Sequence, residues 1–164
     1  MALGNYCAFK EIMGKVENDT GVKIVQPKQP IKRSYRVLQK FALRDDHCGT
    51  ICDGNRALGI ATSAGQMIKV TEYMRSMAEI EIVMVKDRLN NRTSGGWADL
   101  VFLFRAAGSG RDGVIGEFQL AFKLMVEARS GMAGHEAFAG ARAFIELMTK
   151  ANREYRPNKS QAEL

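Results

Sequence analysis

The chain has 164 residues, of which 46% are hydrophobic and 26% charged, as is typical of one soluble globular domain with a buried core. Its net charge of +6 favours a polyanionic partner, such as nucleotide phosphates, nucleic acid or an acidic surface. The N-terminus lacks a secretory pattern, and no run approaches the ~18 apolar residues that span a bilayer. These properties exclude a membrane-spanning protein and predict a cytoplasmic one.

The cysteines do not form a disulfide framework. There are three, Cys7, Cys48 and Cys52, and an odd number without a secretory signal indicates free thiols in a reducing compartment. His47 lies beside Cys48, but no second pair of ligands completes a tetrahedral zinc site. We therefore expect no metal role for these thiols.

The first half of the chain alternates predicted helices with short strands. Apolar residues at helical spacing predict a helix over residues 2–18, and a short extended segment follows at residues 22–25. The helical period returns over residues 32–43. Residues 48–62 are apolar and interrupted by glycines, which indicates a strand with a bend. Ser63 is then the predicted N-cap of the next helix.

The second half begins with consecutive strands. Three strands and then two helices are predicted, at residues 80–89, 98–105, 113–120, 122–129 and 136–152. The last two strands are joined by a glycine-rich hairpin loop, and consecutive strands imply antiparallel pairing. The sequence thus predicts one α+β domain over residues 1–152, with a mixed, mainly antiparallel sheet flanked by helices. A polar tail follows at residues 153–164.

The last predicted strand carries an acid among apolar residues. Because strand side chains alternate between faces, Glu117 and Gln119 share one face while Phe118 and Leu120 share the other. A buried acid is costly unless it binds a metal, pairs with a cation or lies in a wet cleft. An edge strand with one solvated face is the alternative, but the surrounding residues favour a functional site.

Other charged residues lie where they can meet Glu117 on one face of the sheet. Asp53 is in the first long strand region, and Lys86 and Arg88, two residues apart, are expected on one side of the next strand. Two carboxylates from separate strands suit Mg²⁺, and cations opposite them suit phosphates. Trp97 either stacks on a purine base or anchors the turn as a core residue. Together these residues predict a Mg²⁺-nucleotide site.

Each of these residues also has an ordinary structural interpretation. Asp53 precedes a glycine, and Asp-Gly is a common turn pair. Lys86 and Arg88 could equally solubilise the edge of a strand. These alternatives stay open at the level of single residues.

Several runs together resemble the synthetase domain of the RelA/SpoT proteins, which are alarmone (p)ppGpp synthetases. The runs are KDRL, GGWADL, GEFQL and GHEAFAGARAFIEL. In that family a strand end with Lys leads to a Gly-Tyr turn, and a strand with Glu, a hydrophobic residue and Gln follows. Upstream, IKRSYRVLQK resembles the family's basic helix and CDGNRALGI its Asp-containing strand. The resemblance covers most of residues 28–150. It is closest to divergent eukaryotic members, which commonly have Trp at the Tyr position.

The resemblance implies a nucleotidyltransferase-like fold and a pyrophosphokinase reaction, with ATP as donor, GDP or GTP as acceptor and Mg²⁺ as cofactor. It implies that Asp53 and Glu117 are catalytic and hold Mg²⁺, and that Glu117 helps to deprotonate the attacking 3′-hydroxyl. Trp97 would stack on the acceptor base, and Gln119 would support the Glu117 strand. The residues implied to bind phosphates are Lys32, Arg33, Arg36, Arg56, Lys86 and Arg88, of which the first three could also stack on adenine.

The sequence also departs from the family pattern. A His follows the Gly-Tyr turn in the family, but here the stretch is Asp99-Leu100-Val101, and Ala98 and Phe122 replace further polar residues. A fold can persist after its chemistry is lost. The alternative function is therefore a catalytically inactive module that binds RNA or a protein, and pyrophosphate transfer to another acceptor, such as a tRNA end, is a third. Self-association stays open.

Overall fold

The computed structural model describes residues 2–26, 55–93, 96–109, 114–130 and 147–148. Its helices are α1 (Ala2–Thr20), α2 (Ala64–Ser76) and α3 (Lys123–Ser130). Its strands are β1 (Lys23–Val25), β2 (Asn55–Ala61), β3 (Ile80–Asp87), β4 (Leu100–Ala106) and β5 (Gly116–Phe122). The helix predicted at 32–43 lies outside the described residues, as does the helix at 136–152 apart from 147–148, which are helical.

The described strands form one five-stranded sheet in the order β1-β2-β5-β4-β3. β2 and β5 run parallel, whereas every other neighbouring pair is antiparallel. β4 and β5 are consecutive in the chain and adjacent in the sheet, as the predicted hairpin requires. The predicted α+β fold with a mixed, mainly antiparallel sheet is therefore confirmed.

One face of the sheet packs against α1 and α2 to form the core. The buried residues that these helices contribute are Phe9, Ile12, Met13 and Val16 from α1 and Met67, Val70 and Met74 from α2. From the sheet, the Phe102 and Phe118 rings stack with centroids 6.1 Å apart, and Phe104 stacks on Phe9 at 5.6 Å. Burying each such side chain contributes roughly 1.5–3 kcal/mol, so this layer contributes strongly to the stability of the domain.

Two strand glycines let this core close. A Cβ on Gly116 would lie 2.5 Å from Cε2 of Phe9, and one on Gly59 would lie 2.7 Å from Cζ of Phe118. Both distances are far below van der Waals contact, so the absence of a side chain allows aromatic rings to lie directly on the strands. The predicted Ser63 N-cap is also confirmed, since its hydroxyl accepts a hydrogen bond from Gln66 N at 3.2 Å. In the described part of the chain, no helix is long and apolar enough to cross a bilayer.

Candidate functional site

The sheet face turned away from α1 and α2 carries the polar residues of β5. Burial along β5 alternates as the sequence predicts, with Phe118 and Leu120 fully buried and Glu117 and Gln119 partly exposed. Gln119 Nε2 donates a hydrogen bond to Glu117 Oε1 at 2.7 Å. The carboxylate of Glu117 is thus held on this face by its second neighbour along the strand.

Arg56 on β2 lies next to Glu117 across the parallel pair. The register places Arg56 opposite Glu117 and Leu58 opposite Gln119. Such partners share a face, with Cα atoms roughly 5 Å apart. Arg56 Nε is buried and, among the buried side-chain nitrogen and oxygen atoms of the described residues, is the one without a hydrogen-bond partner. Leaving a buried donor unpaired costs about 1–3 kcal/mol, so an anion that accepts this hydrogen bond would be stabilised here.

Lys86 lies on the same face as Glu117 but two strands away. Leu103 of β4 pairs with Glu117, Val101 pairs with Gln119, and Lys86 of β3 pairs with Val101. Two strand spacings separate β3 from β5 by roughly 10 Å. Val101 and Leu103 are buried between them. Lys86 therefore flanks the sheet face that carries Arg56, Glu117 and Gln119, here called the Glu117 face, and does not lie beside the carboxylate.

β3 ends two residues before its predicted end. Asp87 Oδ1 accepts hydrogen bonds from the backbone N–H groups of Leu89 at 2.9 Å and Asn90 at 3.1 Å, which turns the chain. Hydrogen bonds from Asn90 hold the pKa of Asp87 below its ordinary value. Arg88 accordingly begins a turn, and its backbone N–H donates to the Asp99 carbonyl at 2.9 Å.

A second group of residues, here called the Trp97 cluster, consists of Arg88, Trp97, Asp99 and Arg129. Asp99 is fully buried immediately before β4. Its Oδ2 accepts a hydrogen bond from Trp97 Nε1 at 2.7 Å, and its Oδ1 lies 3.4 Å from Arg88 Nη1. The Arg129 guanidinium lies over the Trp97 ring, 4.5 Å from its centroid. The indole is thus contacted at its edge by a buried acid and on one face by a cation.

The structure brings some of the predicted site residues together and separates others. Arg56, Glu117 and Gln119 lie side by side, whereas Arg88 and Trp97 meet in the Trp97 cluster. The predicted residues that lie outside the described part of the chain are Lys32, Arg33, Arg36 and Asp53. Within that part, no group of three His, Cys, Asp or Glu residues could hold a metal. Of the two predicted metal ligands, Asp53 and Glu117, Glu117 is the one that lies in the described part of the chain.

Asp99 and Arg129 are the residues of the Trp97 cluster for which the sequence predicts no site role. Asp99 lies in a stretch where the family has a His. Its position two residues after a Trp, just before a buried strand, was the available signal. That signal is weak, since the Arg88 partner is 11 positions away in the chain.

Solved structures of alarmone synthetases share this fold. The small alarmone synthetase 2 of Bacillus subtilis matches with a TM-score of 0.66 and 15% identity, over 94% of this chain and 90% of that chain. The B. subtilis small alarmone synthetase 1 bound to its product pppGpp matches with a TM-score of 0.65 and 11% identity, over 93% of this chain and 91% of that chain. A GTP pyrophosphokinase family protein from Streptococcus pneumoniae matches with a TM-score of 0.58 and 11% identity, over 94% of this chain and 87% of that chain.

No protein-family model matches the chain, and no curated protein sequence is significantly similar to it. The structural matches extend over nearly the whole of both chains, so the likeness concerns the entire domain. The resemblance to a RelA/SpoT-like synthetase domain that the sequence indicates is therefore confirmed for the fold.

Proposed function

We propose that the chain binds ATP and a guanine nucleotide on the Glu117 face and transfers pyrophosphate from ATP to the 3′-hydroxyl of the acceptor. The observation that carries this proposal is the strand register, which places Glu117 opposite Arg56 on neighbouring parallel strands. A carboxylate and a guanidinium with an unpaired buried N–H there suit a phosphate and the groups that react with it. Two B. subtilis structures of this fold are bound to pppGpp and to AMPCPP, which supports purine nucleotides as the ligands.

In the proposed reaction, the acceptor 3′-oxygen attacks the β-phosphorus of ATP. The bond from that phosphorus to the oxygen bridging the α-phosphate breaks, and AMP leaves with this oxygen. Glu117 accepts the proton of the hydroxyl, and Gln119 orients the carboxylate through the 2.7 Å hydrogen bond. In this proposal Glu117 takes part in the reaction, whereas an acid on a solvated strand face would only contact water.

Phosphate binding is assigned first to Arg56 and Lys86. Arg56 offers the buried donor without a partner, and Lys86 presents a solvent-exposed ammonium on the same sheet face. Arg88 is already paired with Asp99, so part of its charge is offset before any ligand arrives. Among the residues outside the described ranges, Lys32, Arg33 and Arg36 stay proposed contacts for ATP.

The donor set fits Mg²⁺. This ion takes one or two carboxylates and completes its shell with water and phosphate oxygens, so the Glu117 carboxylate satisfies the minimum requirement on the described part of the sheet. Glu117 would hold the ion, with Asp53 as the proposed second ligand. When bound, Mg²⁺ supplies positive charge to the transferring phosphates.

The acceptor base is assigned to Trp97. The indole is partly exposed, and its flat ring provides a stacking surface for a purine. Arg129 lies over one face of this ring. We therefore assign the base to the other face.

The reaction is tested by incubating the protein with ATP, Mg²⁺ and GDP or GTP and separating the products by anion-exchange chromatography. We expect AMP and a pyrophosphorylated guanine nucleotide in equal amounts, and a rate at least about a hundredfold lower for Glu117→Gln, since a general base contributes 10²–10⁴-fold. Glu81→Gln is the matched control, because it removes an exposed carboxylate on β3, two strands from Glu117, that pairs with Arg105. Failure to form AMP with either acceptor contradicts the proposal, and AMP formed only with tRNA present would change the acceptor.

A second candidate function is a catalytically inactive module that binds RNA or a protein. It is favoured by Val101, which is fully buried in the stretch where the family carries a His. The net charge of +6 suits a polyanion. Salt-sensitive RNA binding without any AMP formation would support this candidate over the enzyme.

A further inference from the structure

Trp97 is held at three points, which is more than a partly exposed turn residue requires. Its backbone N–H donates to Thr93 Oγ1 at 3.1 Å, and its carbonyl accepts from Thr93 N at 3.1 Å. Its Nε1–H donates to Asp99 at 2.7 Å, and Arg129 covers one ring face. Backbone, ring edge and ring face are therefore each fixed by a separate group.

Of these contacts, the one to Asp99 determines the rotation of the ring. The indole has a single N–H donor, so only one ring orientation satisfies it against a fixed acceptor. Asp99 is such an acceptor, because it is fully buried just before β4 and its carbonyl accepts from Arg88 N. Its contact with the indole, at 2.7 Å, is also shorter than its contact with Arg88, at 3.4 Å.

We propose that Asp99 is a positioning residue, which holds the Trp97 ring as a fixed plate for the acceptor base. This inference rests on the proposed function, in which Trp97 stacks on a guanine. A ring that is already oriented loses less freedom when the base binds, so affinity for the acceptor is higher. Asp99 is expected to act on the acceptor nucleotide only, since among the described residues its side chain forms hydrogen bonds or ion pairs with Trp97 and Arg88 and with neither Arg56 nor Glu117.

Trp97 is the only tryptophan of the chain, so indole fluorescence and the indole N–H resonance report on this residue alone. We compare Asp99→Ala, which removes the oxygen that accepts the indole hydrogen bond, with Asp99→Asn, which keeps an oxygen able to accept it. Glu81→Gln is the matched control, since it removes an acid paired with an arginine far from Trp97 in the sheet. The readouts are fluorescence anisotropy decay, exchange of the indole N–H, and calorimetric affinities for GDP and AMPCPP.

We expect faster anisotropy decay in Asp99→Ala, and an affinity for GDP roughly three- to tenfold weaker, because the freed side chain must be ordered again when the base binds. Affinity for AMPCPP stays within about twofold, because Arg56 and Lys86, the residues proposed to bind its phosphates, lie on β2 and β3 and are not part of the Trp97 cluster. Asp99→Asn restores both the indole rigidity and most of the GDP affinity. An Asp99 that served only to neutralise Arg88 would give equal losses in both variants, which would overturn the inference.

Two further results would also overturn it. One is an Asp99→Ala protein that binds GDP as well as the wild type despite a loosened indole. The other is an indole N–H in the wild type that exchanges as fast as a free one, a measurement that does not depend on any variant folding. Absence of GDP binding by the wild type at millimolar concentration instead refutes the proposed function, and the indole exchange and anisotropy then decide whether Asp99 positions Trp97.

Discussion

Glu117 and Phe118 are neighbours on β5, but we expect their substitution to change the free energy of unfolding by very different amounts. Phe118 is fully buried and stacked on Phe102, with Gly59 beneath its ring. Phe118→Ala removes roughly 130 Å² of buried apolar surface, or about 3 kcal/mol at ~25 cal/mol/Å². The cavity left behind brings the expected loss in the free energy of unfolding to about 3–5 kcal/mol.

Glu117→Gln, in contrast, should change the free energy of unfolding by less than about 1 kcal/mol. The amide has the shape of the carboxylate and keeps an oxygen for the hydrogen bond from Gln119. Urea unfolding followed by circular dichroism measures both variants. With a slope of 1–3 kcal/mol/M, Phe118→Ala should lower the midpoint by roughly 2 M while Glu117→Gln leaves it nearly unchanged. Equal destabilisation by the two substitutions would mean that Glu117 is part of the core, and the assigned faces of β5 would be refuted.

Two other predictions concern the packing of α1 on the sheet and the turn after β3. Gly116→Ala should lower the free energy of unfolding by about 1–3 kcal/mol, because its Cβ would lie 2.5 Å from the Phe9 ring, whereas Gly65→Ala, whose Cβ meets nothing closer than 3.9 Å, should not. Urea unfolding of both variants checks this, and equal midpoints would contradict it. The Asp87 carboxyl should titrate below the ordinary value of about 3.9 by NMR, and Asn90→Ala should raise its pKa, since Asn90 donates to it. Because the pKa of Asp87 is lowered on folding, its ionised carboxylate stabilises the fold fully above the unfolded-state pKa, and this stabilisation is lost as the pH falls through the folded-state pKa. An unchanged Asp87 pKa in Asn90→Ala would contradict Asn90 as the cause of the shift.

The parts of the fold that the sequence predicted are those determined by local patterns. The alternation along β5 has a period of two, so the inward Phe118 and outward Glu117 follow from the strand assignment alone. Ser63 was predicted as an N-cap because its hydroxyl satisfies a backbone N–H three residues later in the same chain segment. Both predictions need no knowledge of distant residues.

The parts that the sequence did not predict depend on distant contacts. The parallel pairing of β2 with β5 brings Arg56 to Glu117, although the intervening chain contains α2, β3 and β4. The Trp97 cluster joins α3 to the segment between β3 and β4, and its buried Asp99 has no local pattern that distinguishes it from an ordinary loop acid. The predicted role of Asp53 stays a prediction, because that residue lies outside the described part of the chain.

Calorimetric titration of AMPCPP tests the central claim most directly, with and without Mg²⁺, in the wild type, Glu117→Gln and Arg56→Gln. The account predicts Mg²⁺-dependent binding that Glu117→Gln weakens at least about tenfold and that Arg56→Gln weakens similarly, since each loses a charged contact worth about 1.5–3 kcal/mol. Glu81→Gln should bind as the wild type does. Binding that neither substitution changes would place the nucleotide elsewhere, and absence of binding at millimolar AMPCPP would contradict nucleotide binding on the Glu117 face.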